Sequence, residues 1–189
     1  MKAVILAFGW IVCASLVWGS GREYRAELGQ KAPGWEIGEW VIGEGVDLVD
    51  LKGKVVLVRW FTGDHCPYCS ATAPALNGLL EAYGERGLEV VGMYHHKSPE
   101  PFGVEEVEAL VKGYGFTFPV GIDEKWAVLK RWWLFDEARK WTSVSFLLDR
   151  EGRIAWVHPG GKYEKGDADY IELTETIEGL LDDKEESDL

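Results

Sequence analysis

The sequence is poor in the residues on which several protein classes depend. Lysine and arginine together number 20, against 32 aspartates and glutamates, so the formal net charge is −12. A chain this acidic lacks the basic face that nucleic-acid binding needs, and anionic lipid would repel it. Its 3 cysteines are too few for a scaffold held by several disulfides. What remains is a globular domain of ordinary size, because 189 residues suit a single hydrophobic core.

Long apolar runs are equally scarce, and the one that stands out lies at the N-terminus. The run from Ala3 to Trp18 is shorter than the roughly 20 residues of a membrane-spanning helix. Lys2 precedes it and three small residues follow, so we predict a signal peptide over residues 1–21. An uncleaved N-terminal anchor and a buried helix are the alternatives. Cleavage would remove Cys13 and leave two cysteines in an exported, periplasmic or otherwise extracytoplasmic chain, where disulfides form.

Short apolar runs alternate with helical patterns along the rest of the chain. Val55–Val58 and Leu88–Tyr94 are runs of the kind found in strands buried on both faces of a parallel sheet. An amphipathic stripe follows each of them, which predicts two helices. A third short strand at 118–120 and a helix over 123–133 complete the part of the chain in which strands and helices alternate.

The two ends of this pattern complete the predicted fold. Trp35–Ile37 and Trp40–Ile42 alternate as short strands of an N-terminal β extension, and a tight turn over 149–152 joins two strands before the last helix. The predicted order is β-α-β-α-β-α-β-β-α after the extension. This order predicts one α/β domain over residues 29–181, with a mixed central sheet flanked by helices, and a charged, frayed tail over 182–189.

The residues that carry chemistry lie between the first buried strand and the first long helix. Cys66-Pro67-Tyr68-Cys69 places two sulfurs on one turn, close enough to form a disulfide. Cys66 would sit at the helix N-terminus, where free N–H groups and the helix dipole favour a thiolate, whereas Cys69 is better shielded. The pattern predicts that Cys66 attacks a partner disulfide and that Cys69 resolves the mixed disulfide, with Pro67 stiffening the loop. The alternatives are a structural disulfide and half of a metal site.

These residues, together with four other segments, resemble a known family. The segments are Gly29–Pro33, Gly53–Val58, Pro74 and Phe146–Ile154. They are similar to those of exported thioredoxin-like proteins, the TlpA-like and redoxin thiol-disulfide oxidoreductases. The resemblance implies a thioredoxin-like fold, Cys66 as nucleophile and Cys69 as resolving thiol. It also implies a redox-active disulfide with no organic cofactor, protein thiols and disulfides as partners, and a membrane electron donor if the protein is a reductant. We expect the chain to be a monomer.

The sequence departs from that family at three positions. Ser143, after Thr142, stands where these proteins usually carry a cis-proline against the disulfide. Trp60 occupies the position of the buried acid of thioredoxin, and Thr72 that of another acid found in some TlpA-like proteins. Neighbouring polar residues are candidate substitutes for the missing acid, and a cationic His65 would lower the pKa of Cys66. The residues predicted to shape the site are therefore Trp60, Asp64, His65, Pro67, Tyr68, Thr142 and Ser143.

Other functions are weighed against thiol-disulfide exchange. A copper- or zinc-binding chaperone would combine the two cysteines with a histidine, and the candidate ligands are Cys66, Cys69, His95, His96 and His158. A thiol peroxidase is a minor alternative, because Arg59 and Gly63 stand where peroxiredoxins carry a proline and a threonine or serine. A redox-inert binding module is a third alternative.

The sequence is also rich in tryptophan, with 10 residues. Trp126, Trp132, Trp133 and Trp141 precede Ser143, and with Trp60 they are candidates for an apolar shelf that binds a partner peptide. The alternative is ordinary core packing. Arg131, Arg139 and Lys140, in the same stretch, are expected to form a solvated surface.

Overall fold

The computed structural model describes residues 27–63 and 65–187, with side chains up to residue 182. The predicted signal segment and Asp64 lie outside the described residues. Within them, no helix has both the length and the apolar character needed to cross a membrane.

Six strands form one sheet in the order β1-β4-β3-β2-β5-β6. The central strand β2 pairs in parallel with β3, and β3 with β4, while the other neighbouring pairs are antiparallel. The predicted mixed sheet is therefore confirmed. The strands are β1 Trp40–Ile42, β2 Val55–Phe61, β3 Leu88–Tyr94, β4 Val120–Ile122, β5 Ser145–Leu148 and β6 Ile154–His158.

Four α-helices connect and flank these strands in the predicted order. They are α1 Pro67–Tyr83, α2 Val104–Gly113, α3 Ala127–Trp132 and α4 Ala168–Ser187, with short 3-10 turns at Gly84–Arg86 and Glu124–Trp126. The helix predicted over 123–133 is thus a 3-10 turn followed by the shorter α3. Helix α4 runs to Ser187 through most of the predicted frayed tail, since glutamate and lysine favour helix.

Two predicted strands differ from the structure. The third strand begins at Val120 instead of residue 118, because Pro119 has no N–H to give to the ladder. In the part of the N-terminal extension from residue 27 onward, only Trp40–Ile42 forms a strand, and it pairs antiparallel with β4. Residues 35–37 are irregular, and Trp35 is buried.

The alternation of side chains along β2 divides the core into two parts. Val55, Leu57 and Phe61 pack with the two cysteines and with α1, α2 and α4, on what we call the disulfide face. Val56, Val58 and Trp60 pack with α3, on what we call the tryptophan face, which is defined by Trp35, Trp60, Trp132 and Trp133. The sheet therefore separates the cysteine pair from most of the buried tryptophans.

Candidate active site

The two cysteines are joined at the start of α1. Cys66 is the N-cap residue, Pro67 begins the helix, and the Cα atoms of Cys66 and Cys69 are 5.3 Å apart, within the usual range of a disulfide. Proline suits this first position because the N–H that it lacks would have no helical partner. Cys66 is 9% exposed and Cys69 3%, so Cys66 is the more exposed residue of the pair.

The helix N-terminus is arranged to hold negative charge on Cys66. The backbone N–H of Cys69 donates to Cys66 Sγ at 3.3 Å. No acidic residue lies in the first turn of α1. The helix dipole therefore acts on this sulfur without an opposing carboxylate in that turn, which favours the thiolate when the disulfide is reduced.

Ser143 lies directly against the disulfide. Its Oγ is 3.4 Å from Cys69 Sγ and 3.7 Å from Cys66 Sγ. The bond between Thr142 and Ser143 is trans, as is every peptide bond of the described residues. Thr142 is buried, and its hydroxyl has no hydrogen-bond partner in the described part of the chain. The position that the sequence marks as a departure from the family thus puts a hydroxyl within reach of both sulfurs.

Two exposed aromatic rings border the cysteine pair. Tyr68 and Trp141 are 39% and 56% exposed, and their rings meet edge to face with centroids 5.8 Å apart. Trp141 packs closely against Gly160. A Cβ added at residue 160 would lie only 2.3 Å from the Cβ of Trp141. The backbone carbonyl of Trp141 accepts a hydrogen bond from the Trp133 indole. Trp141 is therefore held in place although its ring is open to solvent.

His65 is exposed and lies beside an open cavity. Its ring rests on Gly63, since a Cβ built there would be 3.0 Å from His65 Cε1. The cavity measures about 710 Å³, and Tyr94, His96 and Phe102 also line it. The effect of His65 on the pKa of Cys66 stays a prediction, and the predicted role of Asp64 falls outside the described residues.

The prediction that Trp60 shapes the site is corrected by the structure. Because side chains alternate along β2, Trp60 points to the tryptophan face, away from the cysteines. Its indole N–H donates to Asp123 Oδ2 at 3.0 Å, and its ring packs on Trp132 and Phe146. Thr72 stands at the other position where the resembled proteins carry an acid. Its hydroxyl donates to the Tyr68 carbonyl, and the side chain has no charge.

The histidines predicted as metal ligands do not converge on the cysteines. His95 packs against Trp126, and burial above all lowers its pKa to about 3. His96 contacts the Tyr94 hydroxyl and the Glu100 carbonyl, and His158 lies 3.4 Å from Asp169. Across the described residues, no three histidine, cysteine or acidic side chains are grouped to hold a metal ion. The five residues that the sequence offered as an alternative metal site are therefore not brought together among the described residues.

The predicted apolar shelf is also mostly core. Trp132 and Trp133 are buried on the tryptophan face, and Trp126 donates to the His96 carbonyl, which leaves Trp141 as the exposed member of the set. Arg139 was expected in a solvated surface, but it is 4% exposed and ion-paired with Glu27. Its guanidinium also stacks 4.3 Å from the Trp133 ring.

A buried polar cluster behind the disulfide was missed. Arg59 is on the disulfide face, and its guanidinium donates to Ser145 Oγ at 3.3 Å and to the Gly161 carbonyl at 2.7 Å. Tyr163 and Ser145 share a hydrogen bond of 3.0 Å, and the Tyr163 N–H donates to Thr72 on α1. One sequence feature could have revealed this cluster: Arg59 is a single arginine inside an otherwise apolar strand, and a buried arginine needs hydrogen-bond partners.

The comparisons with known proteins agree with this geometry. A family model described as AhpC/TSA family matches residues 28–157, which is more than half of the chain. The chain belongs to the AhpC/TSA family.

Relatives of this AhpC/TSA family member carry names that refer to thiol chemistry. It is 29% identical over 133 residues to the thiol-disulfide oxidoreductase ResA of Bacillus thuringiensis subsp. konkukian, covering 70% of each chain. It is 28% identical to the solved structure of a thiol-disulfide isomerase from Corynebacterium glutamicum, with a TM-score of 0.59, covering 79% of this chain and 96% of the other. A thiol:disulfide interchange protein of the thioredoxin family from Chlorobium tepidum is 22% identical, with a TM-score of 0.62, over 80% of this chain and 95% of that one. The fold is thioredoxin-like, as the sequence predicts.

Proposed function

We propose that this chain is a thiol-disulfide oxidoreductase that exchanges its Cys66–Cys69 disulfide with protein thiols outside the cytoplasm. The observation that carries the proposal is the position of Cys66, which caps α1, accepts the Cys69 N–H and is the more exposed of the two cysteines. The names of the relatives, oxidoreductase ResA among them, support the same activity.

The exchange proceeds through a mixed disulfide. The Cys66 thiolate attacks one sulfur of the partner disulfide, so a Cys66–partner bond forms, the partner disulfide breaks and the other partner sulfur leaves as a thiolate that takes up a proton. Cys69 then loses its proton and attacks Cys66, which forms the internal disulfide and releases the second partner thiol. The net result is reduction of the partner by two electrons, and the reverse sequence oxidises a dithiol.

Ser143 contributes to both steps in this proposal. Its hydroxyl lies within hydrogen-bond reach of both sulfurs, and a hydroxyl donates equally well to whichever sulfur carries the charge. The charge moves from Cys66 to Cys69 during the cycle, so one group positioned between them serves each thiolate in turn. No acid is needed at the positions of Trp60 and Thr72 for this contact.

The N-terminal sequence pattern supports a setting outside the cytoplasm. An exported chain meets partner disulfides that persist outside the cytoplasm, and Tyr68 with Trp141 offers exposed rings where such a partner would approach the cysteines. The chain acts as a monomer and uses the disulfide itself in place of an organic cofactor. If it works as a reductant, a membrane electron donor must return Cys66 and Cys69 to the dithiol.

The test compares cysteine variants in exchange with glutathione and with a peptide disulfide. Cys66→Ser should lose at least about a thousandfold in rate, because the nucleophile is gone. Cys69→Ser should accumulate a mixed disulfide on Cys66 that mass spectrometry detects. Ser70→Ala, which changes an exposed hydroxyl in the same turn, is the matched control and should react like the parent.

Two outcomes would overturn the proposal. One is the absence of any reversible disulfide between Cys66 and Cys69 across the range of about −270 to −120 mV that thioredoxin-fold proteins span. The other is consumption of hydrogen peroxide by Cys66 much faster than exchange with either disulfide, which would favour the thiol peroxidase alternative.

A further inference from the structure

Arg59 is a buried positive charge without a carboxylate beside it. The residue is 1% exposed, and its two hydrogen bonds go to neutral oxygens, the Ser145 hydroxyl and the Gly161 carbonyl. Among the residues that the structure describes, no acidic group lies within ion-pair distance of Arg59, and its Nε has no hydrogen-bond partner. Burial lowers the pKa of Arg59, yet a guanidinium stays protonated at neutral pH.

The groups around Arg59 do not cancel this charge. The Tyr163 ring lies 5.4 Å from the guanidinium carbon, and burial raises the pKa of Tyr163, so the phenol is neutral. Burial and then Arg59 lower the pKa of His158 to about 4 against the opposing effect of Asp169, so His158 is neutral at pH 7. Asp169 is 57% exposed, and water and salt screen its charge. The cluster therefore carries a net positive charge.

Two short connections link this cluster to the cysteine pair. Just before β5, Ser143 contacts both sulfurs and is two residues from Ser145, so the Cα atoms of Ser143 and Ser145 are at most about 7 Å apart. On the helix, Thr72 follows Cys69 by one turn and accepts the Tyr163 N–H at 3.3 Å. Tyr163, whose ring lies beside the guanidinium, belongs to the same buried cluster as the two cysteines. The guanidinium therefore lies on the disulfide face, with buried side chains between it and the sulfurs.

From this placement we infer that the buried guanidinium of Arg59 stabilises the thiolate of the reduced Cys66–Cys69 pair and so makes the disulfide a stronger oxidant. The inference rests on the proposed function, because it concerns the same two sulfurs. Arg59 forms no hydrogen bond with either sulfur and acts through its electric field. At an effective dielectric constant of about 20, a unit charge roughly 10 Å away changes such an equilibrium by about tenfold.

The equilibrium at issue is reduction by glutathione. Two glutathione thiols give two electrons to the protein disulfide and become one glutathione disulfide. Of their two protons, one goes to Cys69 and the other to solvent, because Cys66 stays a thiolate. A cation that stabilises this thiolate shifts the equilibrium toward the reduced protein, and its removal shifts it toward the disulfide.

The experiment is a glutathione titration of the parent chain, Arg59→Met and Arg59→Lys, read by alkylation and mass. Methionine fills similar space without charge, so Arg59→Met should favour the disulfide by about tenfold, which is about 30 mV for a two-electron couple. Arg59→Lys keeps the charge and should stay within about threefold of the parent. The pKa of Cys66, followed by thiolate absorbance, should rise by about one unit in Arg59→Met alone.

Arg150 provides the matched control at the opposite end of the sheet. It lies in the turn between β5 and β6 and donates to the Gly53 carbonyl, so Arg150→Met removes the same charge far from the sulfurs and should leave the titration unchanged. The inference is overturned if Arg59→Met matches the parent, or if Arg59→Lys or Arg150→Met shifts as much as Arg59→Met. A parent chain with no reversible disulfide would instead refute the proposed function.

A second uncharged variant covers the case in which Arg59→Met does not fold. Arg59→Gln removes the charge and keeps a side-chain N–H donor for the Ser145 hydroxyl and the Gly161 carbonyl. Its equilibrium should shift toward the disulfide by about tenfold, as in Arg59→Met. A folded Arg59→Gln chain that titrates like the parent overturns the inference.

Discussion

The disulfide face of the sheet buries a charged and titratable cluster, whereas the tryptophan face buries aromatic rings around one acid, Asp123. On the disulfide face, Arg59 Nε and His158 Nδ1 have no partner within the described chain. On the tryptophan face, Asp123 accepts hydrogen bonds from the Trp60 indole and from the N–H groups of Val128 and Leu129. The same strand, β2, supplies both environments through alternate side chains.

The two faces of the sheet therefore have different roles: the tryptophan face stabilises the fold, and the disulfide face sets the reactivity of the cysteines. A buried charge without an ion-pair partner costs free energy, so a protein retains one where it serves a site, and well-packed aromatic rings compensate elsewhere. Trp132 contacts Trp35, Trp60 and Phe146, and such ring pairs add to the stabilisation that burial alone provides. We therefore expect substitutions on the tryptophan face to change the free energy of unfolding and those on the disulfide face to change the redox equilibrium.

The largest expected effect is a loss of stability when a buried ring is removed from the tryptophan face. Trp132→Ala removes a ring that is 2% exposed and should lower the free energy of unfolding by about 3–5 kcal/mol. The glutathione equilibrium of the variant should equal that of the parent, because the sheet lies between Trp132 and the sulfurs. Urea unfolding of the oxidised protein and the glutathione titration measure the two quantities.

A matched substitution sharpens the same comparison. The Trp132 indole N–H is buried without a partner in the described part of the chain, so Trp132→Phe removes this donor together with some ring area. We expect a loss of about 1–2 kcal/mol, well below that of Trp132→Ala. A shifted redox equilibrium in either variant would break the comparison, since it would couple the tryptophan face to the cysteines.

The next effect is a loss of stability in acid that arises on the disulfide face. Burial, with Arg59, lowers the pKa of His158 from 6.5 to about 4 in the folded state. Because the unfolded chain takes up this proton first, stability is full above pH 6.5 and is lost as the pH falls toward 4. Between pH 7 and pH 5 the loss from His158 is on the order of 2 kcal/mol.

The pH effect is measured by urea unfolding of the parent and of His158→Gln at both pH values. The variant has no proton to take up at residue 158, so its stability should fall less between pH 7 and pH 5. His96→Gln, at a half-buried histidine outside this cluster, is the matched control and should keep the dependence of the parent. An equal dependence in the parent and His158→Gln would contradict the assignment to His158.

Sequence patterns predicted the fold better than the surroundings of the sulfurs. The runs at Val55–Val58 and Leu88–Tyr94 predicted the central strands, because burial on both faces leaves a purely apolar pattern. Trp60 and Arg59 were harder to place, since the faces of a strand buried on both sides cannot be told apart without knowing what packs on each. The contact of Ser143 with both sulfurs joins residues more than 70 positions apart, so no local pattern encodes it, and only the resemblance to a family placed Ser143 beside the disulfide.

The smallest expected effect is on binding of the partner by Trp141, the exposed ring beside the cysteines. Trp141→Ala removes an exposed ring that packs on Tyr68 beside the cysteines, so it should raise KM for a peptide disulfide by about threefold with kcat nearly unchanged. Exchange with glutathione should not change, because glutathione is too small to need this contact. Phe135→Ala removes another exposed ring, one that packs on Arg139, and is the control. Steady-state kinetics with the peptide disulfide and with glutathione measures these effects. If Trp141→Ala and Phe135→Ala raised KM equally, or if Trp141→Ala weakened exchange with glutathione as much as with the peptide, Trp141 would stabilise its own loop and would not bind the partner.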